Sequence, residues 1–161
     1  MRKIIFLDRD GVINVERGEY TFKIEDFKIV DGLFEVLKAL EERGFEFIVI
    51  TNQGGISKSL YNHDDVFNVH KYMRERFEEA SISILDIYYC PHHAIHEKCI
   101  CRKPDSLMLE KAIAKYNVDI HNSYFIGDSR RDELAGQKLG MNTIKVTKNE
   151  NLNNYLYQIV K

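Results

Sequence analysis

Two acidic residues stand one position apart at the end of an apolar run near the start of the chain. The stretch IIFL leads directly into Asp8, Arg9 and Asp10. Four apolar residues in a row are typical of a buried strand, whereas two carboxylates this close resist joint ionisation. A bound divalent cation would offset the repulsion. Asp8, the first residue beyond the strand, could then act as a nucleophile, and Asp10 as a general acid and base.

Other polar residues also follow apolar runs. Thr51 closes the run FEFIVIT, and Asp128 follows YFIG. Because ligands bind beyond the carboxyl ends of the strands in open parallel sheets, we expect Asp8, Thr51 and Asp128 to meet in one crevice. Asp8 and Asp128 would hold Mg²⁺ there, which prefers oxygen ligands. Thr51 and Lys103 would bind the oxygens of a transferred group, and this set of donors fits phosphate best.

The three cysteines of the chain lie within one stretch of twelve residues, CPHHAIHEKCIC. The stretch offers three sulfur ligands and one nitrogen ligand, arranged as a C-x-H pair and a C-x-C pair: Cys90, His92, Cys99 and Cys101. Three thiolates and one imidazole complete a tetrahedral Zn²⁺ site with no vacant position, so we predict a structural zinc loop over residues 90–101. His93 and His96 are alternative nitrogen ligands. The loop ends directly before Arg102 and Lys103, which the metal would hold in place.

Strand and helix patterns alternate along the chain. Apolar runs predict strands at 3–8, 45–51, 84–89, 123–126 and 142–146. Helical periodicity and end signals predict helices at 32–43, 64–80, 106–116, 131–139 and 152–160. The alternation predicts an α/β fold, a three-layer Rossmann-like sandwich with a central parallel sheet. We expect the remaining histidines, His63, His70 and His121, to be solvated.

The composition limits the class of protein. A length of 161 residues suits one domain, which we take to be residues 1–161. The net charge of −2 gives no electrostatic reason to expect nucleic acid as a partner. The apolar run near the N-terminus is too short for a signal peptide or a membrane span, so we expect a cytoplasmic protein with no membrane partner. We also expect a monomer.

Four stretches, in chain order, resemble the signature motifs of the haloacid dehalogenase (HAD) superfamily of phosphatases. They are DRDGV from Asp8, the strand end at Thr51, Lys103, and GDSRRD ending at Asp132. The resemblance implies that Asp8 forms an aspartyl-phosphate and that Asp10 is the general acid and base. Thr51 and Lys103 would stabilise the phosphoryl group.

The resemblance also implies a set of metal ligands. Mg²⁺ would be bound by Asp8, the backbone carbonyl of Asp10, and Asp128. Asp132 would orient Lys103 or a metal-bound water. Many members of the superfamily carry a separate cap domain over the site, but no segment of this chain is long enough to form one. Loops alone should cover the crevice.

The stretches FLDRDGVIN, ITNQGGI, YYCPHH, CRKP and FIGDS resemble the zinc-loop branch of this superfamily. That branch implies a Mg²⁺-dependent phosphatase converting D-glycero-D-manno-heptose 1,7-bisphosphate to the 1-phosphate, with histidinol-phosphate hydrolysis as the alternative. Asn52, Gln53 and Arg102 would contact substrate, with Arg102 facing the sugar phosphate. The loop near Glu16 would take hydroxyl groups.

An alternative of another class is a receiver-like signalling domain, in which a phospho-aspartate is a switch. Such a domain also uses Asp, Thr, Lys and Mg²⁺. It lacks a general acid beside the nucleophile, whereas Asp10 is present in this chain.

Overall fold

A computed structural model describes residues 1–159 of the chain. Its centre is one five-stranded sheet in which every neighbouring pair of strands is parallel, as predicted. The strands are β1 (Lys3–Leu7), β2 (Phe45–Asn52), β3 (Ile84–Cys90), β4 (Tyr124–Gly127) and β5 (Asn142–Lys145). Their order across the sheet is β3-β2-β1-β4-β5, so β1 lies in the middle.

Four α-helices connect or follow the strands close to the predicted positions. They are α1 (Leu33–Glu41), α2 (His63–Glu79), α3 (Leu107–Tyr116) and α4 (Arg130–Gln137). Three 3-10 helices complete the described elements: Ile24–Asp26, Ile120–Asn122 and Leu152–Gln158. The last of these stands where the sequence predicts a terminal helix, and the predicted end, Val160, lies outside the described residues. None of the helices in residues 1–159 is long and apolar enough to cross a bilayer.

The sheet is covered on both faces because its central strand β1 is apolar and buried from Ile4 to Leu7. In β1, Ile5 and Leu7 point to one face and pack in a cluster with the buried residues of α1 and α2. Ile4 and Phe6 point to the other face and pack with residues of α3 and α4. Alternate side chains of a strand point to opposite faces, so an unbroken apolar strand requires a layer of helices on each side.

The polar residues at two helix starts explain where those helices begin. The side chain of Asn62 accepts a hydrogen bond from the backbone N–H of Asp65, and the Asp65 carboxylate accepts one from the backbone N–H of Asn62. Ser129 and Asp132 form the equivalent capping box for α4. A capping box satisfies N–H groups that a helix start otherwise leaves without partners. The one at α4 also places Asp132 beside the strand end of β4.

Candidate active site

The predicted reacting residues meet at the carboxyl edge of the sheet. Asp8 follows β1, and its backbone N–H donates to the carbonyl of Ile126 in β4 at 3.0 Å. Asp128 directly follows β4, and Lys103 comes from the loop after β3. The crevice above them has a volume of about 370 Å³. It is lined by Asp8, Asp10, Glu16, Gly18, Glu19, Tyr20, Asn52, Lys103, Asp128, Ser129, Arg131 and Asp132.

Lys103 is the cation at the floor of the crevice. Its side chain is only 3% exposed, and its ammonium lies 2.8 Å from Asp8 Oδ1 and 2.7 Å from Asp132 Oδ1. It also donates to the backbone carbonyl of Ile50 at 2.9 Å. Burial by itself lowers the pKa of Lys103, but the two carboxylates outweigh burial and raise it above its usual value. The side chain is therefore a permanent positive charge next to the nucleophile candidate.

Three carboxylates form a compact cluster around this lysine. Asp8, Asp128 and Asp132 each place an oxygen within 4.8 Å of the others. Burial and the charge of Asp132 raise the pKa of Asp8 to about 8, against the opposing charge of Lys103. Burial and Asp132 also raise the pKa of Asp128. One ammonium group does not balance three buried carboxylates, and a hard divalent cation such as Mg²⁺ suits an all-oxygen cluster of this kind.

Asp10 is held by hydrogen bonds on both carboxylate oxygens. Its Oδ1 accepts from Arg9 Nη2 at 2.9 Å and from Asn14 Nδ2 at 3.0 Å. Its Oδ2 accepts from Gln53 Nε2 at 3.1 Å. Burial by itself raises the pKa of Asp10, but the guanidinium of Arg9 and these hydrogen bonds hold it below its usual range. Asp10 is therefore an oriented carboxylate that reaches the same crevice as Asp8.

Arg9, which lies between the two aspartates in the sequence, is a functional residue that the sequence analysis missed. It is 1% exposed, and its backbone N–H donates to Asp8 Oδ1 at 2.8 Å. Its guanidinium also donates to the carbonyl of Thr21 at 2.7 Å and lies 3.2 Å from His70 Nε2. The prediction that His70 is solvated is wrong, because His70 is 7% exposed. Its helical spacing with Val66 and Met73 places it on the buried face of α2.

Burial and the positive charge of Arg9 lower the pKa of His70 to about 3. The imidazole is therefore neutral at physiological pH. Its Nε2 faces a guanidinium that can only donate, so that nitrogen must be the acceptor of the pair.

The three polar residues at the end of β2 have different environments. The Thr51 side-chain hydroxyl is buried and accepts a hydrogen bond from Gln53 Nε2 at 2.9 Å. Gln53 is buried as well, and its Oε1 accepts from the Tyr61 hydroxyl at 2.7 Å. Asn52 lines the crevice and exchanges two hydrogen bonds with the backbone of Lys103, at 3.0 and 3.2 Å. Gln53 thus links Thr51 to Asp10 below the crevice, and Asn52 fixes the backbone that carries Lys103.

The segment from Glu16 to Tyr20, here called the substrate loop, forms one wall of the crevice. The Glu16 carboxylate accepts the backbone N–H of Gly18 at 2.8 Å. The Asn149 side chain binds the backbone of Glu16 on both sides, accepting its N–H at 2.6 Å and donating to its carbonyl at 2.9 Å. The backbone N–H of Asn149 donates to the carbonyl of Gly11 at 2.8 Å. Asn149 therefore ties the substrate loop to the turn that follows Asp10.

The cysteine loop gathers the four predicted zinc ligands and neither alternative histidine. One ligand atom from each of Cys90, His92, Cys99 and Cys101 lies within 4.8 Å of the others. The Sγ atom of Cys90 lies 3.7 Å from that of Cys99 and 3.0 Å from that of Cys101, against a roughly 3.8 Å edge for a tetrahedron with Zn–S bonds of about 2.3 Å. Burial and the neighbouring thiols raise the pKa of Cys90, a cost that a bound cation would remove. The donor set therefore fits Zn²⁺.

Arg102 leaves this loop directly beside the crevice. Its Nη1 donates to the backbone carbonyl of His92 at 3.0 Å. The guanidinium also lies against the backbone of Gly54, where an added Cβ would come within 2.9 Å of Nη1. The position of Arg102 thus depends on the fold of the cysteine loop and on a residue without a side chain at position 54.

Comparison with known proteins identifies the family. Residues 100–157 match the family model described as HAD-hydrolase-like. The chain is 41% identical over 148 residues to the D-glycero-alpha-D-manno-heptose-1,7-bisphosphate 7-phosphatase of Campylobacter jejuni, covering 92% of this chain and 84% of that protein. It is 37% identical to the D-glycero-beta-D-manno-heptose-1,7-bisphosphate 7-phosphatase of Haemophilus influenzae, covering 89% of this chain and 82% of that protein.

A solved structure agrees with these relatives. The D,D-heptose 1,7-bisphosphate phosphatase of B. bronchiseptica, complexed with magnesium and phosphate, superimposes with a TM-score of 0.85 at 27% identity. The match covers 97% of this chain and 86% of that one. The predicted family and enzyme class, a HAD-type phosphoric monoester hydrolase, are confirmed in preference to a receiver-like switch. The chain belongs to the D-glycero-D-manno-heptose-1,7-bisphosphate 7-phosphatase family within the HAD superfamily.

Proposed function

We propose that this chain hydrolyses D-glycero-D-manno-heptose 1,7-bisphosphate to the 1-phosphate and inorganic phosphate. The observation that carries the proposal is the convergence of Asp8, Asp128, Asp132 and Lys103 at one edge of the sheet. Its relatives named for this reaction cover most of the chain. A phosphate monoester is among the slowest substrates to hydrolyse without a catalyst, so a site for it must combine charge stabilisation with a covalent step.

Asp8 is proposed as the nucleophile. Its Oδ1 is already engaged by Lys103 and by the backbone N–H of Arg9, which orients the carboxylate towards the crevice. A carboxylate oxygen attacks phosphorus, the ester bond to the sugar oxygen breaks, and an aspartyl-phosphate forms. Water then attacks the phosphorus of that intermediate, which releases phosphate and restores the carboxylate.

Asp10 is proposed as the general acid and base of both steps. It would enter the first step protonated and donate that proton to the leaving sugar oxygen, and as a carboxylate it would accept a proton from the attacking water in the second step. Three hydrogen bonds fix its orientation, and all three come from residues outside the crevice lining, Arg9, Asn14 and Gln53. We propose that Gln53 acts by positioning Asp10 and Thr51, and that Asn52 contacts substrate directly.

The remaining polar residues are proposed to bind the two ends of the substrate. Lys103 and Thr51 would stabilise the oxygens of the transferred phosphoryl group. Glu16 would bind sugar hydroxyls, and Arg102 would face the other phosphate. Lys103 is a permanent cation at the floor of the crevice, whereas Arg102 lies at its edge beside the cysteine loop.

Mg²⁺ is proposed as the catalytic cofactor, held by Asp8 and Asp128 together with the backbone carbonyl of Asp10. When bound, the cation would neutralise charge on the phosphoryl oxygens. Asp132 lies in the same acidic cluster, but it also pairs with Lys103 and caps α4. We therefore propose that Asp132 orients Lys103. The related B. bronchiseptica phosphatase was solved with magnesium and phosphate, which supports this choice of metal.

Zn²⁺ is proposed as a structural cofactor held by Cys90, His92, Cys99 and Cys101. These four ligands leave no position open for a substrate or water, so the metal would hold the loop without taking part in the reaction. The single-domain organisation, the monomeric state and the cytoplasmic location stay predictions.

The decisive experiment is a phosphate-release assay with and without Mg²⁺. The substrates are both anomers of the heptose bisphosphate, histidinol phosphate and a panel of sugar monophosphates. We expect the largest kcat/KM for a heptose bisphosphate, dependence on Mg²⁺, and no turnover by the Asp8→Asn variant. A larger kcat/KM for histidinol phosphate would replace the proposed substrate. Turnover by correctly folded Asp8→Asn protein would exclude Asp8 as the nucleophile.

A further inference from the structure

Arg131 is a crevice residue that neither the sequence analysis nor the proposed chemistry uses. It lies in the first turn of α4 and is exposed, and it lines the crevice together with Asp8, Lys103 and the substrate loop. An exposed arginine normally reaches a carboxylate or simply projects into solvent. Arg131 instead contributes a guanidinium to the wall of the catalytic crevice.

The neighbouring Arg130 shows what an ordinary surface arginine does in this helix. Arg130 pairs with Glu133 at 3.4 Å and does not line the crevice. Successive helix residues point about 100° apart, so the two arginines face different surroundings. Arg131 makes no ion pair with any carboxylate in residues 1–159.

A second guanidinium, that of Arg102, directly precedes the crevice residue Lys103 in the sequence and also lacks an acidic partner among the described residues. Arg102 is half-buried, and its side chain donates only to the carbonyl of His92. Burial lowers the pKa of Arg102, and the positive charge of Arg131 lowers it further. A third cation, Lys58, already has a partner, because its ammonium lies 5.3 Å from the ring centroid of Tyr20. Guanidinium groups without a carboxylate partner are free to bind an external anion.

We propose that Arg131 and Arg102 together bind the phosphate group of the substrate that is not transferred, and that Arg131 sets the preference for a bisphosphate over a monophosphate. The inference rests on the proposed function. The two phosphates of the substrate then have separate cations: Lys103 faces the reacting group, and the two arginines face the other group. Guanidinium groups suit this task because each can donate two parallel hydrogen bonds to one phosphate.

The test compares two substrates that present the same leaving oxygen. They are D-glycero-D-manno-heptose 1,7-bisphosphate and D-glycero-D-manno-heptose 7-phosphate, which lacks the phosphate at C1. For Arg131→Ala we expect kcat/KM for the bisphosphate to fall about 10- to 100-fold, mainly through KM, the range expected for losing hydrogen bonds to a charged group. The same variant should retain its kcat/KM for the 7-phosphate.

Arg130→Ala is the matched control, since it removes the same charge one residue away, outside the crevice. It should leave both substrates unaffected. Arg131→Lys should recover part of the bisphosphate preference, because it restores the charge without the two-pronged hydrogen bonding. Melting temperatures should not change for any of the three variants, because both arginines are exposed.

The outcomes separate this inference from the proposed function. Wild-type protein that shows no preference for the bisphosphate would overturn both. Wild-type preference that survives in Arg131→Ala would overturn the role of Arg131 alone. An equal loss on both substrates would also overturn it, because the loss would then concern the reacting phosphate or the fold.

Discussion

At the scale of single residues, the central observation is the buried arginine between the two aspartates that we propose to be catalytic. Arg9 reaches Asp8 through its backbone and Asp10 through its side chain, so one residue orients both carboxylates. The imidazole of His70 contacts Nη1 of the same guanidinium. Because these contacts are hidden from solvent, each partner of Arg9 matters more than a surface hydrogen bond would.

The first prediction concerns His70 and the pH dependence of stability. The pKa of His70 is lowered to about 3 in the folded protein, against 6.5 for an unperturbed histidine. The neutral form is therefore favoured by folding, and its stabilising effect is complete above pH 6.5 and is lost as the pH falls towards 3. Between pH 6.5 and pH 5, this one group should remove about 1.5 kcal/mol from the free energy of unfolding.

The measurement is urea denaturation of wild type and His70→Gln at both pH values. Glutamine keeps an acceptor for Arg9 but does not titrate, so the variant should lose about 1.5 kcal/mol less than wild type over this interval. His121→Gln, a substitution at an exposed histidine, is the control and should behave as wild type does. An equal loss in wild type and His70→Gln would show that His70 does not control this part of the pH dependence.

The second prediction concerns Asp10. Asp10→Asn should lower kcat for the sugar phosphate by about 10²–10⁴-fold, the usual contribution of general acid and base catalysis. KM should change little, because Asp8, Lys103 and the crevice wall stay intact. Steady-state kinetics on the folded variant give both numbers, and an unchanged kcat would assign the proton transfer to another group.

At the scale of elements, two loops are proposed to position the substrate rather than to react with it. The loop after β5 carries Asn149, whose side chain brackets the backbone of Glu16. Asn149 has a φ of 64°, in the left-handed region that asparagine and glycine tolerate best. Its backbone shape and its side-chain hydrogen bonds together hold the substrate loop against the crevice.

The third prediction uses this clamp. Asn149→Gly keeps the left-handed backbone and removes both side-chain hydrogen bonds, so the substrate loop should lose its fixed position. KM for the heptose bisphosphate should rise, whereas kcat for p-nitrophenyl phosphate, which is too small to need the loop, should not change. Asn154→Ala is the control, because the side chain of Asn154 donates a hydrogen bond to the Glu150 carboxylate and none to Glu16. A variant with an unchanged KM would show that the loop holds its shape without Asn149.

The fourth prediction concerns the zinc loop. Replacing Cys99 by serine should reduce the zinc content of the purified protein and lower kcat/KM in excess Mg²⁺, because Arg102 and Lys103 follow the loop directly. His96→Ala should keep the zinc content and the kcat/KM of the wild type, since His96 lies outside the ligand cluster. The zinc content of the purified protein is measured by inductively coupled plasma mass spectrometry. Full zinc occupancy in Cys99→Ser, or its loss in His96→Ala, would contradict the proposed ligands.

The elements themselves were largely predictable from local patterns. The ends of the strands and helices lie within one or two residues of their predicted positions. The periodicity of apolar residues and the residues typical of helix ends are local properties of the sequence. The start of α2 shows the limit, since Asn62 caps the helix and α2 begins at His63, one residue before the predicted start at 64. The 3-10 helices at Ile24–Asp26 and Ile120–Asn122 were not predicted, because elements of three residues carry no periodicity.

At the scale of the whole molecule, the sheet explains why the reacting residues could be predicted. In a parallel sheet all carboxyl ends lie at one edge, so the residues after β1 and β4 meet whatever the exact strand order is. The observed order makes these two strands direct neighbours, with Leu7 opposite Ile126. Local sequence patterns do not encode that order, which depends on how the helices cross the sheet.

The parts of the site that could not be predicted depend on contacts between distant segments. Asn149 is 133 residues away from Glu16 in sequence, and His70 is 61 away from Arg9. Residue type alone does not distinguish Arg131 from Arg130, because only the rotation of α4 decides which one faces the crevice. Candidate reacting residues can be found in a sequence because they stand in short motifs. The residues that orient them come from distant segments, so they are identified only in the folded structure.

The three contacts of Lys103 have a consequence for how the enzyme receives its substrate. An ammonium group has three N–H bonds, and here it donates to Asp8 and to the Ile50 carbonyl and forms an ion pair with Asp132 at 2.7 Å. An incoming phosphoryl oxygen must therefore displace one of these acceptors. Binding at this lysine is an exchange of hydrogen bonds, so the affinity of the free enzyme for phosphate reflects the difference between the bond gained and the bond given up.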